Sequence, residues 1–377
     1  HVAREHVKLM PLGTGFGFAG GGLLQPGATG FANAVLRRAG ERDLAQWLTD
    51  LAPAYDADPV GNLALVHAHP EWIVRAFADA LGGSGRPEVL AVTGPALAAD
   101  NTPAQVVLCA RPGRVGQLEL ADEVGGVPGR FGRYSVVLPG GAPGNLRALT
   151  SGRAHVQDEG SQLVATALVD ADLVGGADEH WLDLCAGPGG KAALLGALAA
   201  ERGARVTAVE VIEHRAGLVA QAVRGLPVEV HVADGRNVGA YDALPAAGFD
   251  RVLVDAPCTG LGSLRRRPEA RWRRQPSDLP TLSRLQRELL GAALRAVRPG
   301  GVVGYVTCSP HPVETRAAVT SALLRAERGD DQVRAVAVDV RPLLPADMPE
   351  LGDGPHVQLW PHRHGTDGMF LALLRRV

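Results

Sequence analysis

Residues 181–191 read WLDLCAGPGGK, and the reading of this stretch decides the fold. Trp181 to Cys185 has the length and apolar character of a short buried strand. Ala186, Gly187, Pro188, Gly189 and Gly190 make a tight turn, and Lys191 opens a helix that runs through Leu198. Strand, glycine turn and helix together form the first crossover of a doubly wound α/β sheet, where backbone without side chains approaches a ligand closely. The helix N-terminus behind the turn favours a carboxylate or other anion. Dehydrogenases also use a glycine turn, but the dinucleotide spacing G-x-G-x-x-G is missing here. Instead Pro188 stands in the turn and Lys191 follows it directly. The chain holds only two lysines, Lys8 and Lys191, its other fixed cations all being Arg. A lysine kept at this point implies a compact ammonium rather than a planar guanidinium.

Downstream, α/β alternation is regular. Val206–Val209 predicts a strand ending at Glu210, Val228–Val232 one ending near Asp234, Arg251–Val254 one ending at Asp255, and Val302–Thr307 one ending at Cys308. Helices are predicted over Glu213–Arg224, Leu282–Val297 and Val313–Glu327, and a closing hairpin from Val333–Val338 and Met369–Leu374. Upstream, VQDEGSQLVATALV (156–169) reads as the helix that opens this main domain. Val89–Val92, Val106–Cys109, Leu118–Leu120 and Tyr134–Leu138 read as short strands of a small α+β domain, after a helix beginning at Pro70. Phe31–Arg38 and Glu41–Leu51 have helical spacing, Ala52–Asn62 with Pro53 and Pro59 reads as a linker, and the glycine-rich residues 11–30 read as loop.

A chain of 377 residues allows two or three domains, and 46% apolar against 21% charged residues fits a soluble globular protein. No run of 18 apolar residues exists, so no membrane helix is expected, and HVAREHVKLM lacks the apolar stretch of a signal peptide. A net charge of −2 argues against non-specific nucleic-acid binding over the whole surface, not against a local basic patch. Cys109, Cys185, Cys258 and Cys308 show no C-x-x-C pair and no metal spacing, so no metal is expected and a reduced, cytoplasmic compartment is.

Ligands of open α/β sheets bind at the carboxyl ends of the strands, where Glu210, Asp234, Asp255 and Cys308 are predicted to lie. Glu210 can accept both hydroxyls of a ribose, and Asp234 can bond an adenine amino group. With the glycine turn they describe a nucleoside-containing cofactor. DAPCTG (255–260) puts Pro257-Cys258 where an amino-group methylase would carry Asp-Pro-Pro-aromatic, and TCSP (307–310) brings a second thiol to the same cleft from the next strand. In a reduced compartment such a pair is reactive rather than a disulfide. His311, three residues after Cys308, is a candidate to tune its thiolate.

QDEGSQL, LDLCAGPGGK, AVE…EHR, DAPCTGLGSLRRRPEARWRR, LQRELL, VRPGG and YVTCS resemble the RsmB/Nop/Sun family of RNA cytosine C5 methyltransferases over about residues 156–377. FANAVLRR and HPEWIVRAF resemble the bacterial ribosomal members of that family. The resemblance implies a class I S-adenosylmethionine-dependent methyltransferase, a Rossmann-like doubly wound sheet, over 151–377. A small α+β RNA-recognition domain over 63–150 and a NusB-like helical remnant with linker over 1–62 would precede it. Residues 11–30 depart from the helical pattern of that remnant. The resemblance makes Cys308 the nucleophile that adds to C6 of cytosine, Cys258 the residue that assists product release, and Asp255 with Lys191 the groups that serve the base. Cofactor binding falls to Cys185, Ala186, Gly187, Pro188, Gly189, Gly190, Lys191, Glu210, Arg215, Asp234, Asp255 and Pro257. Arg265, Arg266, Arg267, Arg271, Arg273 and Arg274, with Trp272 among them, are expected to hold RNA by phosphate pairing and base stacking. The expected substrate is a cytosine free to leave its stack, in 16S ribosomal RNA or another RNA such as tRNA, and the expected state is a monomer. An NAD-dependent oxidoreductase would leave both thiols and the arginines unexplained. A non-catalytic RNA-binding assembly factor would need no thiol pair.

Overall fold

The computed structural model describes residues 26–83, 85–141, 143–328 and 333–377. Internal packing divides the chain into two units, His1–Val74 and Arg75–Val377.

The first unit is helical. Helix α1 is Pro26–Gly40, α2 is Leu44–Leu51, α3 is Pro59–Val66, and α4, Glu71–Leu81, begins here. Two of the sequence expectations are corrected. Residues 26–30, read as loop, belong to α1, and residues 11–25 lie outside the described residues. The expected linker contains the start of α3, because Asp58 caps the helix by accepting a 2.9 Å bond from Gly61 N, with Pro59 in the first turn.

The second unit holds two sheets. Helix α5 (Pro87–Ala99) precedes β1 (Val107–Ala110), α6 (Gln117–Val124), β2 (Val127–Pro128), β3 (Ser135–Val137) and β4 (Ala154–Val156). The four strands pair antiparallel in the order β2-β3-β1-β4. Val89–Val92 and Leu118–Leu120, expected as strands, are therefore helical. Pro87 at the first turn and burial of Val89, Leu90, Ala96 and Leu97 select helix for α5 despite its valines. Glu119 reaches back to Gly116 N and fixes the first turn of α6.

Helix α7 (Glu159–Asp170) leads into β5 (His180–Asp183), α8 (Gly190–Arg202), β6 (Arg205–Glu210), α9 (Glu213–Ala222), β7 (Val228–Val232) and β8 (Phe249–Asp255). Helix α10 (Leu279–Ala296), β9 (Val297–Thr307), α11 (Arg316–Arg328), β10 (Ala335–Val338), β11 (Val357–Gln358) and β12 (Phe370–Arg376) follow. The large sheet runs β10-β12-β9-β8-β5-β6-β7, with β11 paired to β12. Strands β7, β6, β5, β8 and β9 are parallel, while β12 and β10 close the edge antiparallel, as the hairpin expectation required. The order reverses between β5 and β8, so a crevice opens at their carboxyl ends. Apolar side chains fill both faces. Trp181, Leu194, Leu253 and Leu371 pack on one, and Leu182, Val252, Leu290 and Tyr305 on the other. The small sheet is tied to the large one by Arg111, which donates to the Ala222 carbonyl, and by Arg114, which donates to that of Gly225.

Candidate active site

The five parallel strands deliver their last residues to one crevice, and each side chain there has an identifiable reason for its position. The turn after β5 requires glycine at 189, and at 187 glycine leaves room for two side-chain ends. A Cβ on Gly187 would lie 2.2 Å from Glu210 Oε2 and 2.9 Å from the Arg215 guanidinium, and one on Gly189, at φ +113°, would lie 2.7 Å from Ala222 Cβ. Arg215 donates to the Gly187 carbonyl at 2.7 Å and pairs with Glu210 at 3.5 Å, which fixes that carboxylate beside the turn. Glu210 Oε1 also accepts from Ile212 N. Ala186 is buried, Pro188 continues the turn, and Gly190 starts α8 with its face open toward Gln157.

Asp234, at the end of β7, is gripped by Arg236, whose guanidinium donates to both carboxylate oxygens at 2.6–3.0 Å. These bonds hold the acid below the usual carboxylate range. The adenine contact expected of Asp234 must use a lone pair that Arg236 leaves. Arg236 bridges onward to Glu288 on α10.

Two side chains that the sequence did not single out complete the cradle. Asp183, the last residue of β5, is fully buried, and no side chain hydrogen-bonds its oxygens, the Cys185 backbone alone offering a weak bond. Burial, then the charge of Asp255, pushes its pKa up to about 7. Gln157, between β4 and α7, is also buried, and its Nε2 is unpartnered while its Oε1 meets His155. A buried acceptor short of partners and an unpaired buried donor beside a glycine turn and a helix N-terminus fit a ligand carrying both an ammonium and a carboxylate. The only sequence signal for them was their place in the LDLCAGPGGK and QDEGSQL stretches.

The reactive groups lie on the β8 and β9 side. Lys191 Nζ donates to Asp255 Oδ2 at 2.7 Å. Burial pulls the ammonium down, but Asp255, Cys308 and Asp183 outweigh it and hold it above its ordinary range. Cys258 Sγ and Cys308 Sγ stand 3.4 Å apart. Their shifts are opposite. The bond from Cys258 lowers Cys308 below the ordinary thiol, and Lys191 assists, against burial and Asp255. Cys258 is driven well above it, first by that same bond and then by burial. Lys191 acts on the Cys308 side of the pair, which favours a thiolate there over Cys258. Cys109 and Cys185 are both raised by burial, which fits Cys109 as a core residue and keeps Cys185 a neutral neighbour of the turn. Pro257 supplies its carbonyl to Gln286. His311 turns to its own loop: its Nδ1 accepts from Val313 N, and burial lowers its pKa.

The arginine cluster divides. Arg265 and Arg266 both reach Asp158 and Asp367 at 2.8–2.9 Å, and Arg265 also donates to the Gly365 carbonyl. Arg271 is buried and donates to Asn101 Oδ1 at 2.7 Å and to the Asp100 carbonyl. These three guanidiniums join distant loops, so the structure gives them internal partners where the sequence expected RNA contacts. Arg267 and Arg273 are exposed, Arg274 is half-exposed beside Asp278, and Trp272 is 60% exposed, so a basic and aromatic surface remains. Among the described residues no cluster could hold a metal ion, and no helix is long and apolar enough to cross a membrane.

Residues 173–375 match the family described as 16S rRNA methyltransferase RsmB/F. A Mycobacterium tuberculosis protein provisionally named a methyltransferase is 56% identical over 349 residues, covering 92% of this chain and 72% of that one. A Bacillus subtilis protein named probable ribosomal RNA small subunit methyltransferase B is 30% identical over 361 residues, covering 93% and 74%. The crystal structure of PH0851 superposes with a TM-score of 0.71 at 25% identity, over 84% of this chain and 68% of that one. The crevice, its glycine turn and the extent of these matches lead to one assignment: the chain belongs to the RsmB/F family of S-adenosylmethionine-dependent ribosomal RNA methyltransferases.

Proposed function

We propose that the chain methylates C5 of a cytosine in small-subunit ribosomal RNA through a temporary bond between Cys308 and C6. The observation that carries this reading is the thiol pair, 3.4 Å apart with opposite shifts, at the ends of neighbouring strands. C5 of cytosine is a weak nucleophile. Addition of the Cys308 thiolate to C6 moves an electron pair toward C5 and N3, and the proton that Lys191 shares with Asp255 meets the charge at N3. S-adenosylmethionine, when bound, supplies an electrophilic methyl group for C5. Asp183 and Gln157 would hold the polar ends of its amino-acid part, and Glu210 its ribose. Two bonds must then break, C5–H and C6–S. While Cys308 is a thiolate, its bond to Cys258 keeps the Cys258 proton in place; once its sulfur is bonded to C6, that cause is gone. Cys258 releases its proton to solvent and takes the one at C5. The C5–H electron pair restores the ring double bond, Cys308 leaves as thiolate, and the proton at N3 returns to the Lys191–Asp255 pair. The relatives' names favour ribosomal RNA over another RNA as substrate.

The test is nucleoside mass spectrometry of small-subunit ribosomal RNA incubated with protein and S-adenosylmethionine. The expected product is 5-methylcytidine, absent with Cys308→Ala although calorimetry shows cofactor affinity within about twofold of wild type, since Cys308 need not touch the methyl donor. A different methylated nucleoside, or normal turnover by Cys308→Ala, overturns the reading.

A further inference from the structure

The two thiol-bearing loops converge on one carboxylate. Thr259 follows Cys258 and Ser309 follows Cys308, and both bond to Glu314. Thr259 N donates to Oε1 at 2.8 Å, Thr259 Oγ1 donates to Oε2 at 2.5 Å, and Ser309 Oγ donates to Oε2 at 2.7 Å. Gln286 on α10 adds a 3.1 Å bond to Oε1 and holds the Pro257 carbonyl at 2.8 Å through the same nitrogen. Glu314 is 0% exposed, and the Tyr305 hydroxyl donates to its backbone carbonyl.

Simple bracing does not account for the choice of residue. A buried carboxylate is costly to desolvate, and here four donors compensate it. Glutamine would fill the same space at lower cost, but its NH2 would oppose one of those donors. What only the carboxylate brings is four acceptor sites and a negative charge next to one loop. That charge counts among the causes that raise Cys258, after the bond to Cys308 and burial. The charged groups that face Cys308 are Asp255, Lys191 and Asp367.

We propose that Glu314 is a positioning residue for the two-thiol reaction: by binding the residue that follows each cysteine it fixes the separation of the two sulfurs and keeps their surroundings unequal. This rests on the two-thiol reading above, but its readout requires neither RNA nor cofactor.

The experiment is alkylation of the full chain by iodoacetamide from about pH 6 to about pH 9, a range that brackets the ordinary thiol, with each cysteine followed by peptide mass spectrometry. In wild type, Cys308 reacts at lower pH than Cys258. Glu314→Gln should bring the two profiles together, and kcat for methyl transfer should fall about tenfold, the scale of one lost charged hydrogen bond, with cofactor KM nearly unchanged. Glu314→Asp, which keeps the charge, should restore part of the separation. Ser309→Ala removes a single donor and should shift the profiles in the same direction by less, which preserves the test if Glu314→Gln does not fold. Unchanged profiles in folded Glu314→Gln, or in Ser309→Ala where that variant stands alone, overturn the proposal and leave Glu314 a brace. If wild-type Cys258 reacts before Cys308, the two-thiol assignment itself fails, a result distinct from failure of the Glu314 role.

Discussion

Replacing Arg265 with Ala tests whether the first half of the arginine run belongs to the fold or to the RNA surface. In the structure Arg265 closes a cluster with Arg266, Asp158 and Asp367, in which the Arg265, Asp158 and Asp367 side chains are 10%, 6% and 10% exposed. The cluster joins the loop after β8 to the start of α7 and to the loop before β12, and Asp158 Oδ1 also accepts from Asp367 N. Removing one partner of a buried ion pair costs about 3–5 kcal/mol, because the other charge stays buried without compensation. Arg266 still reaches both carboxylates, so the lower end applies, about 3 kcal/mol. In a unit of this size that lowers Tm by roughly 5–10 °C. Arg267→Ala, on an exposed neighbour, should change stability by no more than about 0.5 kcal/mol. The assay is a pair of thermal melts in identical buffer, backed by urea titration. Equal stability of the two variants would refute the reasoning, as would an Arg265→Ala protein that melts normally but has lost RNA affinity.

Three further outcomes are expected. Neutralising Arg267, Arg273 and Arg274 together should flatten the salt dependence of RNA binding by about 0.7 in log–log slope per lost contact, and an unchanged slope removes that surface from the RNA path. Trp272→Ala should weaken binding by about 1–3 kcal/mol if a base stacks on it, with titration against single-stranded ribosomal fragments as the measurement. Asp183 gives a pH signature. Its folded pKa of about 7 lies above the ordinary 3.8, so the fold holds this proton more tightly than the unfolded chain does. The stability of the cofactor-free protein should therefore fall as pH rises from about 4 to about 7. Asp183→Asn should remove that slope while weakening S-adenosylmethionine binding; retained cofactor affinity would take Asp183 out of the site.

Strand ends were legible because period and chemistry agreed there: Glu210, Asp255 and Cys308 stand at or next to the ends of the predicted strands, and Asp234 lies two residues past its own. The helices α5 and α6 were misread for opposite reasons. Helix α5 is apolar on most faces, so neither period stands out, and Val89 and Val92 weigh toward strand until Pro87 is taken as a helix start. In α6 the decisive contact is a cap from Glu119, three residues away, which a three-residue strand window ignores. The start of α3 was hidden by its prolines, although Asp58-Pro59 is itself a capping signal. The arginine run could not be divided by spacing at all. Its internal partners, Asp158 and Asp367, lie about a hundred residues away on either side, and only the closed sheet brings them together. Asp183 and Gln157 carry no pattern of their own, since what marks them is a shortage of partners after burial.

The central claim is that two thiols act in sequence, Cys308 to bond the base and Cys258 to release it. The most direct measurement incubates Cys258→Ala with S-adenosylmethionine and small-subunit ribosomal RNA, then separates the mixture on a denaturing gel. The account predicts a protein–RNA adduct that survives denaturation in Cys258→Ala and is missing when Cys308 is also replaced. It is contradicted if Cys258→Ala traps no RNA, or if an adduct forms in Cys308→Ala and depends on Cys258.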